Sequence, residues 1–152
     1  MSNKLALLST VPFSSFSQWD VKQFFFAKIL SKYPVEELGK HLIHQTEKIQ
    51  LSDEPTKEFT ILGVSNKIGM FDGSTEKGSK IKQKYHVVKD NWLAYNPYRI
   101  NVGSIGIKTP NLKGSYISPA YVVFSCKDTI LPEYLWLMMK SDFFNKLIKD
   151  ST

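Results

Sequence analysis

The stretch KYHVVKDNWLAYNPYRINVGSIGIKTPNLKGSYISPAYVVF, residues 84–124, decides the fold of this chain. Its β-branched and aromatic residues come in short runs, and Asn, Gly, Pro and Ser stand between them. That alternation of pleat-filling runs with turn formers is the pattern of a sheet built from many short strands. Residues 85–88, 92–95, 103–107 and 117–125 each read as a strand. Toward the N-terminus, Phe59-Thr60-Ile61-Leu62-Gly63-Val64 reads as another, and the sheet is expected to begin there. Between the two regions, Ile68-Gly69-Met70-Phe71 lies among Asn66, Asp72, Gly73, Ser74, Gly78 and Ser79, the composition of a loop or hairpin.

Helical periodicity lies outside this block on both sides. Asp20 and Gln23 fit a capping box, and Val21, Phe24, Phe25, Lys28 and Ile29 then share one face of a helix over residues 21–30. Residues 34–39 read as a short helix or turn. After Leu131, Pro132 suits a first helical position, and Tyr134, Leu135, Met138 and Met139 recur at helical spacing. Ser141 or Asp142 recaps a second helical piece carrying Phe143, Phe144, Leu147 and Ile148. Helices at the ends and strands between them give an α+β fold: a compact, β-rich central sheet over residues 59–125, mostly antiparallel, flanked by N-terminal and C-terminal helices. Residues 1–18 are rich in Ser and without a period, which marks a leader or linker, and residues 19–152 are expected to form one domain.

Composition bounds the function classes. At 152 residues, 42% of them apolar and 13% aromatic, the chain is long enough for one real core. Lys and Arg number 20 against 14 acids, a net charge of +6, which favours an anionic partner without identifying one. Cys126 is the only cysteine, so an intrachain disulfide is excluded and a buried, inert thiol is expected in its strand. No apolar run approaches the roughly 18 residues that span a bilayer, and the first dozen or so residues lack the architecture of a secretory signal. A cytoplasmic location is expected.

Two segments carry chemistry. Lys77, Lys80, Lys82, Lys84 and Lys89 form the densest positive run, and in a strand Lys80, Lys82 and Lys84 would project to one face and follow a phosphate backbone. The competing reading is a solvated edge strand kept soluble by lysines. In residues 95–107, Pro97, Gly103 and Gly106 can hold Asn96, Tyr98, Arg99, Asn101 and Ser104 at defined angles. Arg can bridge guanine or grip a phosphate, and Asn can pair with adenine. Alternatively Asn101 and the glycines only shape turns, and Arg99 pairs with a carboxylate. The Asn96-Pro97-Tyr98 triplet invites comparison with adenine methylation, but a second proline is absent and no strand, glycine-rich turn and helix supply a cofactor site. His41, His44 and His86 lack further ligands at a metal-binding spacing and read as partly exposed structural residues. Phe24, Phe25, Phe26, Trp136, Phe143 and Phe144 stand at helical spacing and read as core rather than as base-stacking residues. No catalytic residue, metal or cofactor is assigned.

The order of pieces resembles the DNA target-recognition domain of type I restriction–modification specificity subunits, a domain type also fused to some adenine-methylating restriction enzymes. The pieces are a strand ending in Asn96-Pro97-Tyr98-Arg99, then residues 100–106, then Ser118-Pro119-Ala120-Tyr121-Val122-Val123-Phe124, and the helical segment from Pro132 to Phe144. The resemblance covers about residues 19–149. It implies a non-catalytic protein that reads double-stranded DNA and directs a methyltransferase subunit and, in the full system, a restriction nuclease. A motif shared by readers of different sequences is architectural, so Tyr98, Arg99, Asn101 and Ser104 are expected to fix the loop and touch the DNA backbone. The variable part then lies nearer the bases, through Ser65, Asn66, Lys67, Asp72, Ser74 and Thr75, with Lys77, Lys80, Lys82 and Lys84 on phosphates. In the family, two such domains are separated by long helices; this chain has one domain and no such spacer. The rival reading is a protein-interaction module of the same fold.

Overall fold

The structure, a computed structural model, describes residues 32–151. Its compact unit is Glu36–Asp150. The expected leader over residues 1–18, the helix over 21–30 and the aromatics Phe24, Phe25 and Phe26 lie outside the described residues.

Among the described residues, nine strands and two α-helices follow in order: β1 Leu42–Gln45, β2 Lys48–Gln50, β3 Glu58–Ser65, β4 Gly69–Lys77, β5 Lys84–Val87, β6 Leu93–Tyr95, β7 Ile105–Ile107, β8 Tyr116–Ile117, β9 Val122–Cys126, α1 Pro132–Lys140 and α2 Asp142–Ser151. They build two sheets, one ordered β1-β9-β6-β7 and the other β2-β5-β8-β3-β4. Only β3 and β8 run parallel; the other six ladders are antiparallel. The α+β class and the mostly antiparallel pairing match the sequence reading. The single central sheet expected is two sheets, since Ser104, Gly106 and their neighbours pack one layer on the other, and three segments also differ from the sequence reading.

First, the sheets begin at Leu42 rather than Phe59, because β1 pairs with distant β9 and β2 with β5. These strands are short and largely exposed, so no apolar alternation announces them. Second, the helix or turn expected over residues 34–39 is a single 3-10 turn at Leu38–His41. Third, the strand expected over residues 117–125 is broken: the Tyr121 N–H donates to the Ser118 carbonyl at 3.1 Å, and the chain leaves one sheet there to enter the other. Pro119 cannot donate to a ladder, which is why the break falls at this point.

Period-two alternation in the four-stranded sheet supplies two cores at once. Ala94 and Val123 join Leu62, Val64, Met70 and Ile117 in the layer between the sheets. Their neighbours Leu93 and Phe124 join Ile105, Ile107, Leu135 and Met139 beneath α1. Full burial of a side chain such as Leu135, which has no exposed surface, stabilises by about 2 kcal/mol. A third cluster, Leu51, Phe59 and Ile81, lies under the far end of the five-stranded sheet. The two sheets meet closely at Gly106, where a Cβ would stand 2.2 Å from the Met70 backbone nitrogen.

The helices form as their caps predict. Pro132 opens α1. Ser141 ends it and starts α2, its hydroxyl donating to the Met138 carbonyl at 2.6 Å and accepting the Phe144 N–H at 3.2 Å. Trp136 packs under its own helix and donates its indole N–H to the Ile105 carbonyl at 3.2 Å. Phe143, expected in the core, is 58% exposed, because α2 turns it away from the sheet. His86, expected to be partly exposed, is buried in β5. Cys126 is half-buried, and burial raises its thiol pKa, as an inert cysteine requires. Among the described residues no helix is long and apolar enough to cross a membrane, and no cluster of His, Cys, Asp or Glu is placed to hold a metal ion.

Candidate nucleic-acid interface

The β3–β4 hairpin organises the polar surface. Ser65 faces Gly69 across the ladder, so the connection is only residues 66–68, and of the loop or hairpin expected here the structure has the hairpin. The Ser65 hydroxyl accepts the Ile68 N–H at 3.2 Å, and Gly69 takes a positive φ of 78°, which closes the turn. Tip and base of the hairpin are separated by the length of β4, about 26 Å at about 3.3 Å per residue.

At the tip, the loop joining β6 to β7 comes alongside. Its shape is set by short backbone bonds. The Asn96 carboxamide oxygen accepts the Tyr98 N–H at 2.9 Å, and the Asn96 carbonyl accepts the Arg99 N–H at 3.0 Å. The Gly103 N–H reaches the Ile100 carbonyl at 2.9 Å with φ of 74°, and the Ser104 N–H returns to the Arg99 carbonyl at 3.2 Å. Buried Ser104 then donates its hydroxyl to the Val64 carbonyl at 3.4 Å, joining the loop to the hairpin. Between them lies a cleft of about 110 Å³ lined by Val64, Ser65, Asn66, Arg99, Val102 and Ser104. Arg99 is exposed and has no carboxylate partner among the described residues. Tyr98 is 87% exposed at the apex of the Asn96 turn. The Asn101 side chain lies outside the described residues.

Lys140 enters from the other side. The last residue of α1, it donates its ammonium to the Asn66 carbonyl and stands 5.8 Å over the Trp136 ring. Trp136 in turn lies 3.1 Å from where a Gly69 Cβ would be. Sequence reading missed Lys140 at this place. Its position in a last helical turn signals dipole complementation and nothing more, and only the fold brings it to a hairpin far away in sequence.

The base carries the lysines. Gly78 is wedged against residues 51–54, a Cβ there falling 2.3 Å from the Leu51 and Glu54 carbonyl oxygens. The next residues form a 3-10 turn, Gly78–Lys80, rather than the expected strand. Lys80 and Lys82 flank buried Ile81 and, with Ser74, Glu76, Gln83 and Tyr85, line an open groove of about 460 Å³. Lys84 is not part of that lining; it opens β5 opposite Gln50. The three lysines are all exposed, but they do not share one strand face. Glu76 also tempers the charge, its carboxylate 4.0 Å from the Lys80 ammonium. Lys77 ends β4 opposite Glu58.

The middle of β4 contributes structure. The Asp72 carboxylate accepts the backbone N–H groups of Lys113 and Gly114 at 3.0 and 2.9 Å. Burial alone would raise its pKa, but these two donors, helped by the Lys113 and Lys108 cations, hold it below the ordinary carboxylate value. Both oxygens are thus occupied by the protein. Thr75 lies beside Thr60, their hydroxyls 3.4 Å apart, and Ser74 is exposed toward the lysine groove. Of the residues singled out in the sequence, the fold gathers Ser65, Asn66, Arg99 and Ser104 at the tip cleft, Lys67 and Tyr98 on the loops that flank it, and Ser74, Lys80 and Lys82 at the base.

No protein-family model matches the chain, and no curated protein matches it. Solved structures do. One is a chain from a structure of complex assembly and conformational transition in the type I R-M system, with a TM-score of 0.59 and 20% identity over 76% of this chain and 31% of that one. Another is the HsdS subunit from Thermoanaerobacter tengcongensis, also with a TM-score of 0.59 and 20% identity, over 72% of this chain and 29% of that one. The chain spans about a third of the length of each. At this identity the likeness establishes the fold, which is the fold implied by the sequence resemblance.

Proposed function

We propose that this chain is a DNA target-recognition domain that reads a short sequence in double-stranded DNA for a type I restriction–modification enzyme. The observation that carries the reading is the hairpin with a different chemistry at each end: polar side chains on a tip whose backbone is fixed by hydrogen bonds, and exposed lysines about 26 Å away at its base. Rigid hydrogen-bonding groups read base edges, and mobile ammonium groups neutralise phosphates. Ser65, Asn66 and Lys67 are the base-reading candidates, with Ser74 and Thr75 farther along β4. Lys77, Lys80, Lys82 and Lys84 supply the salt-sensitive attraction. Asp72, which the sequence reading put among the base readers, is better suited to holding residues 113–114, since its oxygens are already occupied.

In this role the chain performs no chemistry. A methyltransferase subunit and a restriction nuclease subunit would act at the sequence it selects, in the cytoplasm where DNA is available to them. One domain would read one part of a divided target. The test is selection of bound duplexes from a random pool by the full chain at low salt, repeated with the methyltransferase subunit present. Enrichment of one motif, with affinity falling as salt rises, is expected; recovery of an unenriched pool in both conditions would overturn the assignment.

A protein-interaction role has one observation in its favour. Tyr134 and Leu137 on α1, and Leu131 just before it, are 62%, 62% and 71% exposed. Leu137→Ser leaves duplex selection unchanged and weakens assembly with the methyltransferase subunit if that face meets protein.

A further inference from the structure

We infer that the cleft at the hairpin tip seats a single phosphate group of a nucleic-acid backbone, gripped by the Arg99 guanidinium. The inference rests on the DNA reading and adds a defined contact to it. Size is the first argument. A volume of about 110 Å³ holds roughly three to four waters at about 30 Å³ each, enough for one tetrahedral oxyanion. It is well below the roughly 300 Å³ at which pockets begin to enclose small organic molecules, so an extruded base does not fit.

Donor chemistry is the second. The lining holds one cation and no carboxylate. The Ser104 hydroxyl hydrogen is committed to the Val64 carbonyl, so Ser104 shapes the wall instead of donating. Ser65 is the opposite case: its oxygen already accepts the Ile68 N–H, which leaves its O–H to donate outward. Lys140 places an ammonium against the Asn66 carbonyl, a second positive charge beside the cleft. Arg99, unpaired and exposed, offers a planar fork that fits two phosphate oxygens. Rigidity is the third. The Ser104 N–H bond to the Arg99 carbonyl and the left-handed Gly103 fix the backbone that carries Arg99 before any ligand arrives.

The experiment measures binding of the full chain to its selected duplex, and to an unrelated duplex, for wild type, Arg99→Ala and Arg99→Lys. Arg99→Ala is expected to weaken both duplexes alike, by about 10- to 100-fold, and to flatten the log affinity against log salt slope by about 0.9. Arg99→Lys restores the slope and part of the affinity. Uncharged methylphosphonate is then placed at each phosphate in turn. One position that weakens wild type should leave Arg99→Ala unaffected. If Arg99→Ala instead keeps wild-type sensitivity at every phosphate, or relaxes preference for a base, the seat is wrong while the DNA reading survives. If wild type binds no duplex, the DNA reading fails, and inorganic phosphate decides the seat: amide shifts at Gly103 and Ser104 that vanish in Arg99→Ala retain it, and their absence in wild type overturns it. The exposed, unpaired Arg99 should leave the urea midpoint unchanged, which separates loss of binding from loss of folding.

Discussion

The two ends of the β3–β4 hairpin hold similar residues in different ways. At the tip, Gly103, Ser104, Asn96 and Lys140 spend their hydrogen bonds fixing the backbone that carries the exposed polar side chains there. At the base, the backbone is anchored by Gly78, but the lysines that leave it end in exposed ammonium groups around an open groove. Charge is present at both ends, on a hydrogen-bonded backbone at the tip and around an open groove at the base. Fixed groups discriminate between partners, whereas mobile charges attract any polyanion, so the ends should fail differently when damaged.

The largest expected effect removes the frame that both ends share. Gly106→Val puts methyl groups where even a Cβ stands 2.2 Å from the Met70 nitrogen and 2.8 Å from the Gly69 carbonyl carbon. Neither neighbour is a flexible side-chain end, so the sheets must separate. A loss of about 3 kcal/mol or more in urea-derived stability is expected, with both kinds of binding lost together. Unchanged stability would mean that the sheets do not meet here.

Removing charge from the base comes next. Replacing Lys80, Lys82 and Lys84 together by Ala should flatten the salt dependence of DNA affinity by about 3 units and leave the selected motif intact. An unchanged slope would put the phosphate grip elsewhere. Glu76→Gln should work in the opposite sense, tightening binding to all duplexes by freeing Lys80.

Smaller and more selective effects are expected nearer the tip. Asn66→Ala or Lys67→Ala should relax preference at one or two base pairs, by about 1 to 3 kcal/mol, in a binding-site selection. Asp72→Asn sharpens the boundary between reading and support. It removes charge from an acceptor of two backbone N–H groups, so about 1 to 2 kcal/mol of stability should go while the selected motif stays. A changed motif with full stability would return Asp72 to the base readers.

The strands from Phe59 onward and the helical segment after Leu131 were legible because period and turn chemistry agreed there. The division into two sheets was not. It depends on β1 and β2, short and exposed, finding β9 and β5 far along the chain, and long-range pairing leaves no local mark. Gly106 was readable as a close approach, but what it approaches, Met70, was not. The lysines illustrate the same limit. Their spacing of two suggested a strand face, yet Gly78 fits only against the carbonyls of residues 51–54 and turns the chain into a 3-10 helix. Similarly, Asn66 and Arg99 belong to different segments of the sequence, and they share a cleft where the Ser104 hydroxyl reaches the Val64 carbonyl and Gly106 packs on Met70.

The smallest effect distinguishes the ends by pH. Strand β5 continues from Lys84 at the base into His86, whose ring is buried with no hydrogen-bond partner for Nδ1 among the described residues. Burial, and then the nearby Lys48 and His44 charges, lower its pKa below the ordinary histidine value of about 6.5. The unfolded chain therefore binds a proton before the folded one does, and stability contributed by neutral His86 is present above about pH 6.5 and declines as pH falls below it. Because β5 pairs with β2 through His86 and Lys48, acidification should loosen that edge first. The tip has no comparable group, since the donors around its cleft are an arginine, a hydroxyl and an amide. Amide hydrogen exchange, corrected for its intrinsic pH dependence, should thus show lower protection in residues 48–50 and 84–87 at pH 5.5 than at pH 7.5, with residues 99–106 unchanged. His86→Phe should abolish the difference. Equal loss of protection at both ends would mean that acid acts on the domain as a whole, and that the base does not carry its own pH sensitivity.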